Sequence, residues 1–164
     1  MHLAELNISR WKIDPASEEA KGFTGNVGRI NALAERSPGF VWRLTDEQRT
    51  SEGNNAVCPD RLTEMTLSVW ETVEDLEQFV WNTVHKRIYN GKNRWFSALD
   101  SHHLVMWHVE EGHQPSITEA RERLDHLELH GNTDFAFEWS HLPGVKLWQI
   151  QQQPRQKTMQ EGVV

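Results

Sequence analysis

Residues 2–11, HLAELNISRW, alternate well enough to predict a strand, with Leu6 and Ile8 on one face and Asn7 and Ser9 on the other. Asp14 followed by Pro15 opens a helix, because Asp caps and Pro fits the first helical turn. Gly22, Gly25 and Gly28 weaken that helix, while VGRINALAER sets Val27, Ile30, Leu33 and Ala34 on one stripe before Ser37-Pro38-Gly39 ends it. A helix in two pieces is expected. GFVWRLTDE, residues 39–47, predicts a second strand, and the Gly, Asn and Pro cluster at 53–59 is a loop leading to a third, TEMTLSVWE, residues 63–71. Thr72 with Asp75 three residues on caps the next helix, which is expected to run to Tyr89 before Asn90-Gly91 interrupts it. HHLVMWHVEE, residues 102–111, predicts a fourth strand. Ser116 and Glu119 form an S-x-x-E capping box for a helix with the stripe Ala120, Leu124 and Leu127 and the stop Gly131, after which FAFEW, residues 135–139, predicts a short fifth strand.

Strand, helix, strand, strand, helix, strand is the split βαβ pattern of an α+β, ferredoxin-like domain with an antiparallel sheet, here followed by an extra C-terminal helix and short strand. The domain is expected over residues 1–140, with 141–164 an extension whose end, QQQPRQKTMQEGVV, lacks an apolar period and reads as a loose tail. Such a sheet carries helices on one face, yet Phe40, Val41 and Trp42, and Leu104 to Trp107, are apolar on both faces of their strands. A cover is needed for the second face. A second copy of the chain supplies one, and the last helix and strand folding back supply another; the layering favours the homodimer.

The composition narrows the partners. Lys and Arg total 17 against 24 Asp and Glu, a formal charge of -7, which repels phosphate backbones, so nucleic acid is not expected. Cys58 is the one cysteine, so no internal disulfide forms and a reducing, cytoplasmic setting is expected. No apolar run approaches the roughly 20 residues of a membrane span, and the first residues lack a signal-peptide pattern. Tryptophan is abundant, at 11, 42, 70, 81, 95, 107, 139 and 148. Such rings fill cores and line ligand pockets alike.

Two polar residues stand out. On the wheel of the third-strand-following helix, His85 falls at the border of the apolar arc beside Trp81 and Ile88, where it either packs with a nitrogen on a carbonyl or water, or works as a base near neutral pH. Arg43 sits between Trp42 and Leu44, where an unpaired guanidinium is expensive. It either pairs with Glu64, Glu71 or Glu5 on a neighbouring strand or holds a substrate carboxylate or enolate. His126 and His130 are spaced i, i+4 but face solvent on the wheel, so no metal site is expected.

NALAERSPGFVWRL (31–44), SVWETVEDLEQFVWNTVH (68–85), RWF (94–96), LVMWHVEEGHQPSITEARERL (104–124) and HGNTDFAF together resemble a bacterial family known as a domain of unknown function, itself similar to the antibiotic-biosynthesis monooxygenase group of the dimeric α/β-barrel superfamily. The resemblance implies a ferredoxin-like protomer, paired sheet to sheet in a homodimeric barrel, with a pocket between helices and sheet in each protomer. It singles out Asn31, Trp42, Arg43, Ser68, Trp70, His85, Trp95 and Trp107, and Thr66 stands where the family's strand is expected to carry Asn. The function this suggests is a cofactor-independent monooxygenase acting on an aromatic or polyketide-like small molecule. His85 is the expected base, Arg43 with Asn31 holds the enolate oxygen, and Trp42, Ser68, Trp70, Trp81, Trp95 and Trp107 shape the substrate site. The alternatives are a haem protein with His85 as axial ligand, and a non-catalytic ligand-binding protein.

Overall fold

The structure, a computed structural model, describes residues 1–52, 60–82, 91–97 and 103–144. The chain forms β1 (His2–Trp11), α1 (Lys21–Glu35), β2 (Phe40–Arg43), α2 (Asp46–Glu52), β3 (Thr63–Trp70), α3 (Val73–Asn82), β4 (Phe96–Ser97), β5 (Leu104–Val109) and α4 (Ile117–His130). All ladders are antiparallel, and β1 is the central strand, with β3 and then β2 on one side and β5 and the two-residue β4 sharing the other. This is an α+β protein whose five-stranded open sheet has the ferredoxin-like arrangement.

Register decides which side chains meet. Leu3, Glu5, Asn7 and Ser9 lie opposite Trp70, Ser68, Thr66 and Glu64, whereas Ala4, Leu6 and Ile8 lie opposite Val69, Leu67 and Met65. Because side chains alternate across a strand, the first set occupies one sheet face and the second set the other. On the first face, Leu3, Trp70 and Met106 pack with Ala34 of α1 and with Leu76 and Phe79 of α3. On the other face, Ala4, Leu6, Leu67, Val69, Val105 and Trp107 pack with Ile117, Ala120, Leu124 and Leu127 of α4. The cover of the second face is therefore the chain's own α4, and the layering no longer calls for a second copy there. Ile8, Val41, Trp42 and Leu44 remain half-buried at the border of that layer.

The local chemistry explains the helix ends. Ser116 Oγ accepts from the Glu119 N–H at 3.1 Å, and Gly131, at φ 71°, donates its N–H to Leu127 O at 2.8 Å, as expected for α4. Thr72 Oγ accepts from the Asp75 N–H at 3.2 Å and opens α3. Asp14 does not open α1: its carboxylate accepts the Ala16 N–H at 2.9 Å in a tight turn, Ser17 makes the next turn, and one continuous helix starts only at Lys21. Gly22 in its first turn gives the Trp95 ring room, since a Cβ there would come within 3.0 Å of it.

Two further expectations change, and one short strand is added. The second strand ends at Arg43 rather than continuing to 47, because Thr45 and Gln48 form a reciprocal box that starts α2: Gln48 Oε1 accepts the Thr45 N–H at 3.0 Å and Thr45 Oγ accepts the Gln48 N–H at 3.3 Å. FAFEW supplies a single bridge, Phe137 to Met106, instead of a strand, since Thr133 N donates to Ala136 O at one end and a 3-10 turn begins at Trp139 at the other. A two-residue β4 pairs Trp11 with Phe96, a strand that periodicity cannot predict at that length. The helix residues expected from 83 to 89, His85, Cys58, and the tail from 145 onward lie outside the described residues.

Candidate functional site

The sheet face under α1 and α3 has a polar floor, and the helices do not seal it. Between them lies a cavity of about 790 Å³. Its floor is Glu5 and Asn7 from β1, Thr66, Ser68 and Trp70 from β3, and Arg43 from β2. Phe23, Val27, Ile30 and Asn31 of α1 form one wall, and Leu76, Phe79 and Trp81 of α3 the other. Trp139 closes a third side, Asp46 and Arg49 of α2 stand at the β2 edge, and a side chamber of about 140 Å³ extends toward Ser9, Lys92 and His103. A concave, mostly apolar space with a few converging polar groups is the usual form of a small-molecule site.

Of the residues expected in the site, Asn31, Arg43, Ser68, Trp70 and Trp81 line this cavity. Trp42 and Trp107 project to the opposite face, under or beside α4, and Trp95 belongs to a separate cluster with Trp11, Ala20 and Phe96, its indole N–H donating to Glu19 O at 3.2 Å. The sheet itself separates the first two from the cavity. Trp107 is fully buried and donates its indole N–H to Glu119 Oε1 at 2.9 Å, a core arrangement. His85 lies outside the described residues, as does any haem ligation through it.

Arg43 is paired, but not with a strand carboxylate. Its Nε donates to Glu35 Oε1 at 2.7 Å, because α1 ends at Glu35 just before the chain reverses into β2. Glu64, one of the expected partners, is taken by Arg49 at 3.0 Å. Asn7 and Thr66 face each other in register on the floor. Among the described residues no three His, Cys, Asp or Glu side chains gather as a metal ion requires.

The residue that sequence reading weighed only as an ion-pair partner is Glu5. It is 8% exposed, in the middle of the central strand, and its Oε2 accepts the Ser68 hydroxyl at 3.2 Å. Ser68 in turn accepts the Trp70 indole N–H at 3.0 Å. Burial pushes the Glu5 carboxyl up to about 7, and the Ser68 hydrogen bond pulls it partly back. Trp70 is itself fixed, stacked on Phe79 at 5.1 Å and meeting Phe40 edge-on at 5.5 Å. The signal for Glu5 was weak: it lies on the polar face of its strand with Asn7 and Ser9, and only the split βαβ order, which makes that strand central, points to its burial.

The fold and site thus define an α+β, ferredoxin-like protein with a helix-walled pocket on one face of its sheet. The chain belongs to the family described as Domain of unknown function (DUF3291), whose model matches residues 2–153. No curated protein and no solved structure matches it. No described helix is long and apolar enough to cross a membrane.

Proposed function

We propose that the protein is a small-molecule enzyme of the cofactor-independent oxygenase kind, acting on an aromatic or polyketide-like substrate, in keeping with the resemblance to the antibiotic-biosynthesis monooxygenases. The observation that carries this reading is the cavity of about 790 Å³ in which aromatic walls meet a polar floor containing Arg43, Ser68 and Glu5, with Asn31 above. In the reaction a methylene flanked by aromatic or carbonyl groups loses a proton to a protein base. The resulting carbanion passes an electron to dioxygen and recombines with it, and loss of water leaves a carbonyl, so that one methylene and one dioxygen give one ketone and one water. The protein supplies a base, N–H donors for the enolate oxygen, and exclusion of water. Arg43 and Asn31 are the donors.

The test is oxygen uptake by the purified protein with a panel of polycyclic phenols and enolisable aromatic ketones. Arg43→Ala is expected to lower kcat about 100-fold for a turned-over compound, the usual loss for a removed oxyanion donor. Unchanged kcat would leave Arg43 as the structural partner of Glu35, whereas binding of a compound with no oxygen uptake by the wild type would favour a ligand-binding role instead. In the same reading a second copy pairs along the half-buried strip Ile8, Val41, Trp42 and Leu44. Light scattering at twice the 19.1 kDa chain mass supports that dimer, and a clean monomer removes it.

A further inference from the structure

We propose that Glu5 is the base of this pocket: it sits on the cavity floor with one carboxylate oxygen held by Ser68 and, among the described residues, no ion-pair partner, placed to take a proton from a bound neutral molecule. The inference rests on the enzyme reading above and names its proton acceptor and its substrate class, a compound with an acidic C–H or O–H next to an aromatic ring or carbonyl.

The hydrogen-bond inventory gives the carboxyl a direction. An indole N–H only donates, so Ser68 Oγ accepts from Trp70 and has a single proton to give, which goes to Glu5 Oε2. A protonated Glu5 therefore carries its own proton on Oε1. Ser68 is its hydrogen-bond partner among the described residues, and no ion pair reaches it there. The charged and titratable groups described around the cavity stand off from Glu5: Arg43 pairs through Nε with Glu35, Arg49 pairs with Glu64 and Asp46, Glu138 and His103 line the far walls, Lys92 lies in the side chamber, and α1 and α3 put no described charged residue on the main cavity. A carboxyl whose only task was structural would be expected to meet a cation, or to be replaced by an apolar residue like its neighbour Leu3, since burial without one is costly. Here burial holds the carboxyl poised near neutrality, where a general base works best.

The step balances by itself. The Glu5 carboxylate takes the substrate proton and becomes the acid, while the C–H electron pair stays on carbon and delocalises into the adjacent carbonyl as an enolate. Reversal returns the proton. The simplest activity of this site is thus exchange of an acidic α-hydrogen with solvent, which needs no oxidant.

The probe is 2-tetralone, a bicyclic aromatic ketone with an acidic methylene, incubated without oxygen in D₂O while NMR follows deuterium entering that methylene, and binding is read from tryptophan fluorescence. The wild type is expected to exchange with kcat/KM rising through an inflection near the Glu5 value of about 7. Glu5→Gln is expected to bind the ketone but exchange at least about 100-fold more slowly, the scale of a lost general base. Ser68→Ala should still exchange, with its inflection moved to higher pH because the hydrogen bond favouring the carboxylate is gone. Wild-type exchange by Glu5→Gln, with loss in His85→Ala, would overturn the assignment and leave the enzyme reading standing. Binding and exchange both absent in the wild type would overturn the two together.

Discussion

Relative to Glu5→Gln, the wild-type protein is expected to lose about 3 kcal/mol of unfolding free energy as the pH rises from below 4.5 to above 7. The folded state holds the Glu5 carboxyl near 7 while the unfolded chain returns it to its ordinary value of 4.5. Between those values the folded state binds more protons than the unfolded one, so stability falls as pH rises, and above the upper value the full loss is present. The variant should therefore be the more stable protein at about pH 8, and the two should converge under acid conditions. Urea unfolding at a series of pH values, followed by tryptophan fluorescence, measures this directly. Other groups cancel in the difference, among them Asp14, held below its usual range by the Ala16 N–H and Arg61, and Asp60, held low by Arg10 and the Leu62 N–H. Their linkage lies at more acid pH. A difference that stays constant with pH would mean that Glu5 titrates as an ordinary carboxyl. Destabilisation of this kind is what a protein retains at a site whose chemistry needs the group.

The elements with strong local chemistry were legible in the sequence. α4 carries its own start at Ser116 and stop at Gly131, and β1 shows its alternation over ten residues. α2 was also written locally, in Thr45 and Gln48, but the apolar run through Trp42 and Leu44 hides it behind a strand reading. β4 has two residues and exists only through its pairing with Arg10 and Trp11. FAFEW alternates as a strand does, yet the bonds that keep it from becoming one, at Thr133 and Ala136, belong to a turn that periodicity does not weigh.

The site was legible by residue type and not by face. Trp70 and Trp107 have the same chemistry and similar strand contexts. Trp70 pairs with Leu3 and so shares a face with Glu5, whereas Trp107 pairs with Ala4 and faces the other way. That difference is one residue of register, set by a ladder between segments far apart in the chain, and no local pattern contains it. The same ladder converts Glu5 from a candidate ion-pair partner into part of the pocket floor. Arg43 was rightly read as needing an anion, but its partner Glu35 comes from the helix above, which becomes a neighbour only when β2 folds under it.

Trp107→Ala is expected to lower stability by about 3–5 kcal/mol, a large share of the roughly 5–15 kcal/mol that holds a domain of this kind together. Trp107 is 0% exposed between β5 and α4, so truncation leaves a hole that Leu124, Leu127 and Val105 cannot fill without moving. It also removes the indole donor to Glu119, whose other bonds go to His113 at 2.7 Å and to Arg123 at 3.6 Å. Trp107→Phe keeps most of the packing and loses that donor, so its cost should be lower, about 1.5–3 kcal/mol, on the scale of a lost hydrogen bond to a charged group. Denaturant unfolding compares the two, and binding of a pocket ligand is measured well below the transition. Because the sheet stands between Trp107 and the cavity, both variants should bind that ligand as the wild type does while folded. Weakened binding by folded Trp107→Phe would instead couple α4 to the pocket through the sheet, and a cost under about 1 kcal/mol for Trp107→Ala would show that α4 does not hold the second face closed.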